Sequence, residues 1–122
     1  MTSDSTPTPA FQATVERLDG HALVSASGEI DIATTPQLRA AIEQAMGDSA
    51  DAVVVDLTRV TFMESTGLRA MLEARLRAEG ERRSLVVVCD PAGPVHRLFE
   101  LTNTTEPLRV CESRDAAVAE LS

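Results

Sequence analysis

Two short runs of apolar residues set the strongest limit on how this chain can fold. They are Ala52–Asp56, with the sequence Ala-Val-Val-Val-Asp, and Leu85–Val88, with the sequence Leu-Val-Val-Val. A strand that is covered on both faces is apolar throughout, whereas a half-exposed strand alternates apolar and polar residues. Both runs therefore predict strands at the centre of a sheet that has other elements packed on it.

Strand and helix patterns alternate around these two runs. Phe11–Arg17 and Ala22–Ala26 predict two strands that are joined by a hairpin turn at Asp19-Gly20. Leu108–Cys111 predicts a last strand. Because helices alternate with strands after the opening hairpin, we expect an α/β fold with a mixed central sheet of about four to five strands and amphipathic helices packed against it.

Four segments have apolar residues at helical spacing. They are the segment from Pro36 to Gly47, Ser65–Glu79, Pro94–Leu101 and a terminal helix after Ser113. Thr34 or Thr35 is the expected N-cap of the first helix, and Ser113 that of the last. The positions expected to face the core are Leu38, Ile42, Ala45 and Met46, then Leu68, Met71, Leu72 and Leu76, then Val95, Leu98 and Phe99, and finally Ala117, Val118 and Leu121.

The charged and metal-binding residue types exclude several kinds of chemistry. The chain has 19 acidic and 11 basic residues and a net charge of −8, and every basic residue is an arginine. Without lysine it can hold no Walker A phosphate loop, no lysine Schiff base and no lysine-assisted aspartyl phosphate. Cys89 and Cys111 are too far apart for a Cys-x-x-Cys motif, and His21 and His96 have no second histidine at ligand spacing. We therefore expect neither a metal nor another cofactor.

The same composition indicates what the chain binds. A nucleic-acid surface needs clustered basic residues and usually aromatic ones, but this chain is acidic, with three phenylalanines and no tryptophan or tyrosine. No apolar run approaches the roughly 20 residues that span a membrane, and no secretion signal opens the chain. We expect a cytoplasmic protein with free cysteines packed in its core, protein partners, and no direct contact with nucleic acid or membrane. Residues 1–10, rich in Ser, Thr and Pro, predict a disordered tail before a single domain over residues 11–122.

The most informative segment is Val60–Leu68, with the sequence Val-Thr-Phe-Met-Glu-Ser-Thr-Gly-Leu. Ser65 falls where the second helix begins, and two interpretations of it compete. As an N-cap, its hydroxyl would accept a hydrogen bond from a backbone N–H and stabilise the helix by about 1 kcal/mol, which general statistics favour. As a phosphate site, the free N–H groups and the positive end of the helix dipole would receive a phosphoryl group without any lysine.

A series of segments in one order is specific as a set. The series is Gly28-Glu-Ile-Asp31, the Pro-led helix after it, Val53-Val-Val-Asp-Leu57, Phe62-Met-Glu-Ser-Thr-Gly-Leu68, Val86-Val-Val-Cys-Asp-Pro91 and Val95-His-Arg-Leu-Phe-Glu-Leu101. In this order the segments resemble the STAS domain, and within that group the bacterial anti-sigma factor antagonists. The resemblance covers the chain from about residue 11 to the end.

The resemblance implies a regulatory binding protein and not an enzyme. In such families the unphosphorylated antagonist binds an anti-sigma factor that is also an ATP-binding serine kinase, and thereby frees a sigma factor. Phosphorylation of the serine that opens the second helix ends the binding, and a phosphatase restores it. By position the phosphoacceptor is Ser65, and Asp31 matches an acidic residue that contacts the partner. The implied partner-binding residues are Asp31, Glu64, Ser65, Thr66, Gly67 and Leu68.

Two positions depart from the family's pattern. Glu64 stands where the family usually has an aspartate, so the charge is kept but the side chain is one methylene longer. Thr66 stands where a second serine is frequent, which makes it an alternative acceptor. These departures leave a second interpretation open. In it the chain is a STAS scaffold whose serine is never modified, as in a stressosome-like or lipid-transport complex.

Other candidate residues have simpler interpretations. Asp56 ends a buried strand, as the phosphoaspartate of a response-regulator receiver does, but the receiver's lysine is absent, so a carboxylate that binds nearby loop N–H groups is favoured. Ser65 has no plausible base for nucleophilic catalysis, which argues against a small hydrolase. Phe62, Met63 and Met71 are expected in the core, although Met63 could instead be exposed as an interface anchor.

Overall fold

A computed structural model describes residues 11–47 and 51–121 of the chain. Within these residues five strands and four helices alternate. The strands are β1 (Phe11–Leu18), β2 (His21–Ile30), β3 (Ala52–Met63), β4 (Ser84–Val88) and β5 (Val110–Cys111). The helices are α1 (Thr35–Gly47), α2 (Ser65–Gly80), α3 (Pro94–Leu101) and α4 (Arg114–Glu120). The predicted tail, residues 1–10, lies outside the described residues.

The five strands form one mixed sheet in the order β1-β2-β3-β4-β5. β1 pairs with β2 antiparallel, as the predicted hairpin requires, and the other neighbours are parallel. Because parallel crossovers are right-handed, α1, α2 and α3 all lie on one face of the sheet, and α4 packs on the other. The predicted fold class is therefore confirmed. None of the helices in residues 11–47 and 51–121 is long and apolar enough to cross a membrane.

Both apolar runs lie in the centre of the sheet, as predicted. Val53 and Val55 of β3 point into the larger core cluster, which contains residues of α1, α2 and α3. Val54 points to the opposite face, where it joins Val86 and Ala117 in a smaller cluster under α4. Since alternate residues of a strand face opposite sides, burial on both sides explains why the runs contain no polar residue before Asp56.

β3 is longer than predicted, because it continues beyond Asp56 to Met63. Thr58, Arg59 and Thr61 are exposed, so the apolar pattern ends although the strand does not. This second half still pairs with β2, after irregularities in the register. β5 is shorter than predicted and begins at Val110, since Arg109 has a backbone φ of 51° that interrupts the extended chain.

Three residues that were expected in the core are exposed: Phe62, Leu76 and Val118. Phe62 follows an irregularity in the β2–β3 register, and only its neighbour Met63 keeps contact with the core. Leu76 lies on the flank of α2, because Met71 and Ala78 define the side of that helix that faces the sheet.

In α4 only Ala117 is fully buried, and helical geometry turns Val118, the next residue, about 100° away from it. The prediction therefore placed too many residues of this helix in the core, although Leu121 does pack against the smaller cluster. The predicted cap is confirmed, since the Ser113 hydroxyl accepts a hydrogen bond from the Ala116 N–H at 3.1 Å.

A nearly buried carboxylate attaches α4 to the sheet. The Arg114 guanidinium donates to Asp56 at 2.6 Å and to the Ser25 hydroxyl at 3.3 Å, and the Thr58 N–H donates to Asp56 at 2.9 Å. Burial by itself would raise the pKa of Asp56, but the hydrogen bonds from Thr58 and Arg114 outweigh it and hold that pKa below its ordinary value. Asp56 thus has a structural role. It binds a nearby backbone N–H, as expected from the sequence, but that N–H belongs to Thr58 within β3 and not to a loop.

The start of α2 lies unusually close to the end of β2. The Glu64 N–H donates to the Ile30 carbonyl at 2.8 Å, and Gly67 lies over the Ile30 side chain. A Cβ atom on Gly67 would stand 2.5 Å from Cγ2 of Ile30 and 3.1 Å from Cγ of Met63. Both neighbours are buried, so only glycine allows this approach.

We predict that replacing Arg114 with alanine lowers the free energy of unfolding by about 1–2 kcal/mol at pH 7, because Asp56 loses a charged partner that is itself half exposed. A carboxylate with a depressed pKa stabilises the fold above its unfolded pKa of about 3.9 and loses this contribution as the pH falls through its folded pKa. The difference in the free energy of unfolding between wild type and variant, measured by urea titration, should therefore become smaller towards acid pH. Arg97→Ala, on the exposed side of α3, is the control, and a difference that does not change with pH would contradict the role of charge.

We also predict that Gly67→Ala lowers the free energy of unfolding by about 1–3 kcal/mol, because the added methyl group must displace Ile30. Gly80→Ala is the matched control, since no atom lies within 4 Å of its added Cβ and alanine favours the helix. Denaturant unfolding followed by circular dichroism measures both. Equal stability of the two variants would show that the close contact does not restrict position 67.

Candidate functional site

Ser65 is the first residue of α2, and its side chain is exposed at the carboxyl ends of β2 and β3. The N-cap residue is Glu64, in an extended conformation, and its carbonyl accepts the N–H groups of Gly67 and Leu68. An N-cap residue precedes the first helical residue, whereas Ser65 is itself the first helical residue. The interpretation of Ser65 as the N-cap is therefore wrong. Within the described part of the chain the Ser65 hydroxyl makes no hydrogen bond, and the Glu64 side chain does not cap the helix.

Thr66, the alternative acceptor, is held more tightly than Ser65. Its hydroxyl lies 3.3 Å from the Thr35 hydroxyl, which in turn donates to the Asp31 carbonyl at 2.7 Å. Since Thr35 has one hydroxyl proton, Thr66 is the donor in the contact between the two. Thr66 is half-buried and Ser65 is exposed, so Ser65 is the more accessible of the two hydroxyls.

Asp31 organises the loop between β2 and α1. Its carboxylate accepts hydrogen bonds from the N–H groups of Ala33 at 2.9 Å and Thr34 at 3.0 Å. The Thr34 hydroxyl donates back to the Glu29 carbonyl at 2.8 Å and accepts from the Asp31 N–H at 2.9 Å, so it caps no helical N–H. This structural role was not predicted from the sequence, although an aspartate two residues before the bonded N–H is a known turn signal.

Three direct contacts join the two ends of this loop to the start of α2. Two come from Ile30, whose carbonyl accepts the Glu64 N–H and on which Gly67 packs. The third is the hydrogen bond between Thr66 and Thr35, and Thr35 is itself bonded to Asp31. The structure thus brings Asp31 and Ser65 to the same end of the sheet, as their proposed shared role requires. Glu29 and Glu64 are exposed at this end as well, and Arg69 is exposed one helical turn after Ser65, so carboxylates outnumber guanidinium groups around Ser65.

The remaining residues of the predicted binding set are not at the surface. Gly67 and Leu68 are both buried, and Leu68 belongs to the larger core cluster. They can influence a partner only by holding the start of α2 in place. Two apolar residues at this end of the sheet are exposed, which was not predicted from the sequence. These are Ile32, in the loop after Asp31, and Phe62, near the end of β3.

No side chain among the described residues is hydrogen-bonded to the Ser65 hydroxyl, so none is in position to act as its general base. His96 lies on α3, where its Nδ1 is 3.5 Å from Glu100. No group of three or more His, Cys, Asp or Glu side chains in residues 11–47 and 51–121 is arranged to hold a metal ion. The arrangement around Ser65 can therefore present an exposed hydroxyl to another molecule.

The two cysteines are free thiols, as expected. Cys89 is buried in the larger cluster, whereas Cys111 is half-buried against the smaller one on the other face of the sheet, so the core packing expected of both holds fully for Cys89 alone. Burial, followed by the nearby carboxylates of Asp90 and Asp56, raises the pKa of the Cys89 thiol to about 12. Burial also raises the pKa of Cys111. Neither thiol has the low pKa of a reactive cysteine.

Comparison with known proteins identifies relatives of this chain. A family model described as "Mlab, STAS domain" matches residues 13–110. An anti-sigma-B factor antagonist of Listeria monocytogenes is 30% identical over 95 residues, which are 78% of this chain and 82% of the relative. The crystal structure of an anti-sigma factor antagonist from Mycobacterium paratuberculosis is 33% identical with a TM-score of 0.82, over 90% of this chain and 92% of that one.

A more distant structure shows the same fold. The anti-sigma factor antagonist SpoIIAA in its unphosphorylated form has a TM-score of 0.74 at 18% identity, over 90% of this chain and 96% of that one. The resemblance recognised from the sequence is confirmed, both by the family model and by relatives whose names match it. This chain belongs to the STAS domain family, among bacterial relatives that are named anti-sigma factor antagonists.

Proposed function

We propose that this chain is an anti-sigma factor antagonist whose binding is switched off by phosphorylation of Ser65. The names of its relatives support the first part. The observation that supports the second is the position of Ser65, whose unbonded hydroxyl is exposed at the first residue of α2. The partner is an anti-sigma factor that binds ATP and acts as a serine kinase, and its capture frees a sigma factor in the cytoplasm.

In this proposal the chain is a substrate and not an enzyme. The Ser65 oxygen attacks the γ-phosphorus of ATP held by the kinase, ADP leaves, and a base of the kinase takes the hydroxyl proton. The absence of a base beside Ser65 among the described residues fits this division of roles. A phosphatase reverses the step by hydrolysing the phosphoserine.

Electrostatic repulsion explains how the phosphate would end binding. A phosphoserine adds about −1.5 to −2 charges at neutral pH. Glu29, Asp31 and Glu64 already make this end of the sheet acidic, and the whole chain carries a net charge of −8. Holding the phosphate near these carboxylates inside an interface costs free energy, and a loss of about 3 kcal/mol would weaken binding about a hundredfold.

The predicted binding residues divide into two groups in this proposal. Asp31, Glu64 and Ser65 contact the kinase directly, with Thr66 beside them. Gly67 and Leu68 contribute from below, because they fix the position at which α2 begins. No surface is assigned to nucleic acid or to a membrane.

A second candidate is a STAS scaffold module whose serine is not modified, as in a stressosome-like or lipid-transport complex. Glu64 favours it, because the family's usual aspartate is replaced and the longer side chain makes no hydrogen bond to the helix start. A kinase that reads the aspartate would then not accept this chain.

A phosphorylation assay separates the two candidates. The chain is incubated with ATP and each anti-sigma kinase encoded in the same genome, and any phosphate is located by mass spectrometry. We expect one phosphate on Ser65, none in Ser65→Ala, and an unchanged reaction in Thr66→Ala. A failure of every kinase would favour the scaffold, and a phosphate on Thr66 would contradict the assignment of the acceptor.

A binding assay tests the role of charge. We expect Ser65→Asp to bind the kinase at least about tenfold more weakly than wild type, because it places one negative charge in the interface. Asparagine has nearly the shape of aspartate but carries no charge, so Ser65→Asn should bind the kinase much more tightly than Ser65→Asp. We expect Ser65→Ala to bind but to resist release by ATP. Equal weakening by asparagine and aspartate, measured by calorimetry, would mean that size and not charge disturbs the interface.

A further inference from the structure

Six large apolar side chains are exposed in the described part of the chain, and they lie in separate places. Ile32 and Phe62 lie near the carboxyl ends of β2 and β3, at the same end of the sheet as Ser65. Leu101 and Leu18 lie at the opposite end of the sheet. Leu101 is the last residue of α3, which runs antiparallel to the parallel strands, and Leu18 is the last residue of β1, beside the hairpin turn that leads into β2. Leu76 and Val118 lie on helix flanks.

Backbone connections place Ile32 and Phe62 close to Ser65. Phe62 precedes Ser65 by three residues, so their Cα atoms are within about 11 Å of each other. The Ile30 carbonyl accepts the Glu64 N–H, so these two residues are in contact. Ile32 is two residues after Ile30, and Ser65 is one residue after Glu64. Even with a fully extended chain, the Cα atoms of Ile32 and Ser65 are therefore within about 18 Å of each other. The Asp31 carbonyl accepts the N–H groups of Thr34 and Thr35, so Ile32 lies within a turn.

A kinase that transfers phosphate to Ser65 must cover this region. A stable protein interface buries about 800 Å² on each partner, which corresponds to a disc of about 16 Å radius. Such a disc centred on Ser65 includes the backbone of Phe62 and reaches the loop that carries Ile32. Because Met63 points into the larger cluster, the Phe62 side chain faces the other side of the sheet, and the kinase contacts it over the carboxyl edge of the sheet. Side chains of this kind are where interfaces gain most of their binding energy, provided that the partner offers a pocket that excludes water.

Two features of these side chains suit an interface. Ile32 has 74% of its surface exposed and Phe62 has 46%, so both are open to a partner. Both are bordered by carboxylates, since Asp31 precedes Ile32 and Glu29 is paired with Phe62 across β2 and β3. An apolar centre with a polar border is the usual anatomy of a protein interface, and it fits a partner surface that has apolar pockets.

We propose that Ile32 and Phe62 are the apolar anchors by which this chain binds its anti-sigma kinase, and that the kinase receives them in apolar pockets. This inference rests on the function proposed above and adds the residues that determine affinity.

Matched serine substitutions test the anchors. Leu101 is 72% exposed and Leu18 is 39% exposed, so Leu101→Ser and Leu18→Ser serve as controls for Ile32→Ser and Phe62→Ser at the far end of the sheet. The probe is the recombinant kinase that phosphorylates wild-type Ser65, loaded with a non-hydrolysable ATP analogue. We expect each anchor variant to raise the dissociation constant at least about tenfold, and each control to leave it within about twofold.

Steady-state phosphorylation provides a second readout. Loss of an anchor should raise the KM of the kinase for this chain and leave kcat unchanged, because the anchors are distant from the transferred phosphate. Thermal unfolding checks that each variant is folded, and Ile32→Ala and Phe62→Ala replace any that is not.

Two results would overturn the proposal in distinguishable ways. If the kinase phosphorylates Ser65 normally and the anchor variants bind as tightly as the controls, the anchors are wrong and the proposed function stands. If no kinase binds or phosphorylates the wild-type chain, the proposed function fails and the anchors fail with it.

Discussion

The contact between Gly67 and Ile30 determines where the candidate site lies. Because Gly67 has no side chain, α2 begins directly against the end of β2, and the Glu64 N–H reaches the Ile30 carbonyl at 2.8 Å. This places Ser65 at the carboxyl ends of two neighbouring parallel strands, next to the loop that Asp31 holds. A bulkier residue would move the helix start away from the sheet, and the acidic loop and the serine would no longer form one surface.

The centre of the sheet could be predicted from the sequence for a physical reason. Burial on both faces leaves no polar position in a strand, and Val53–Val55 and Leu85–Val88 have none. The second half of β3 could not be predicted in this way, because Arg59 and its polar neighbours are exposed while the backbone still pairs with β2. Register irregularities of this kind depend on the partner strand and leave little trace in one sequence.

The candidate site was partly predictable as well. The change from a strand pattern to a helix pattern after Met63 predicts that a helix begins near Ser65. Which residue is the first helical one depends on which carbonyl accepts the first helical N–H group, and the sequence does not show this. Ile32 and Phe62 could not be predicted as exposed, since apolar residues next to a core are usually part of it. Asp31 illustrates a third limit. One side chain can hold a loop and face a partner, and a sequence pattern does not separate these two roles.

The hydroxyl groups of Thr66 and Thr35 connect the starts of α2 and α1 to the Asp31 carbonyl, so three segments of backbone are tied together around Ser65. A surface that is fixed before binding loses little conformational entropy when a partner arrives. It also leaves little freedom for a phosphate to change its shape. The kinase and the phosphatase of the proposed cycle would therefore meet the same rigid surface, and they would have to tell its two states apart by the phosphate and its charge alone.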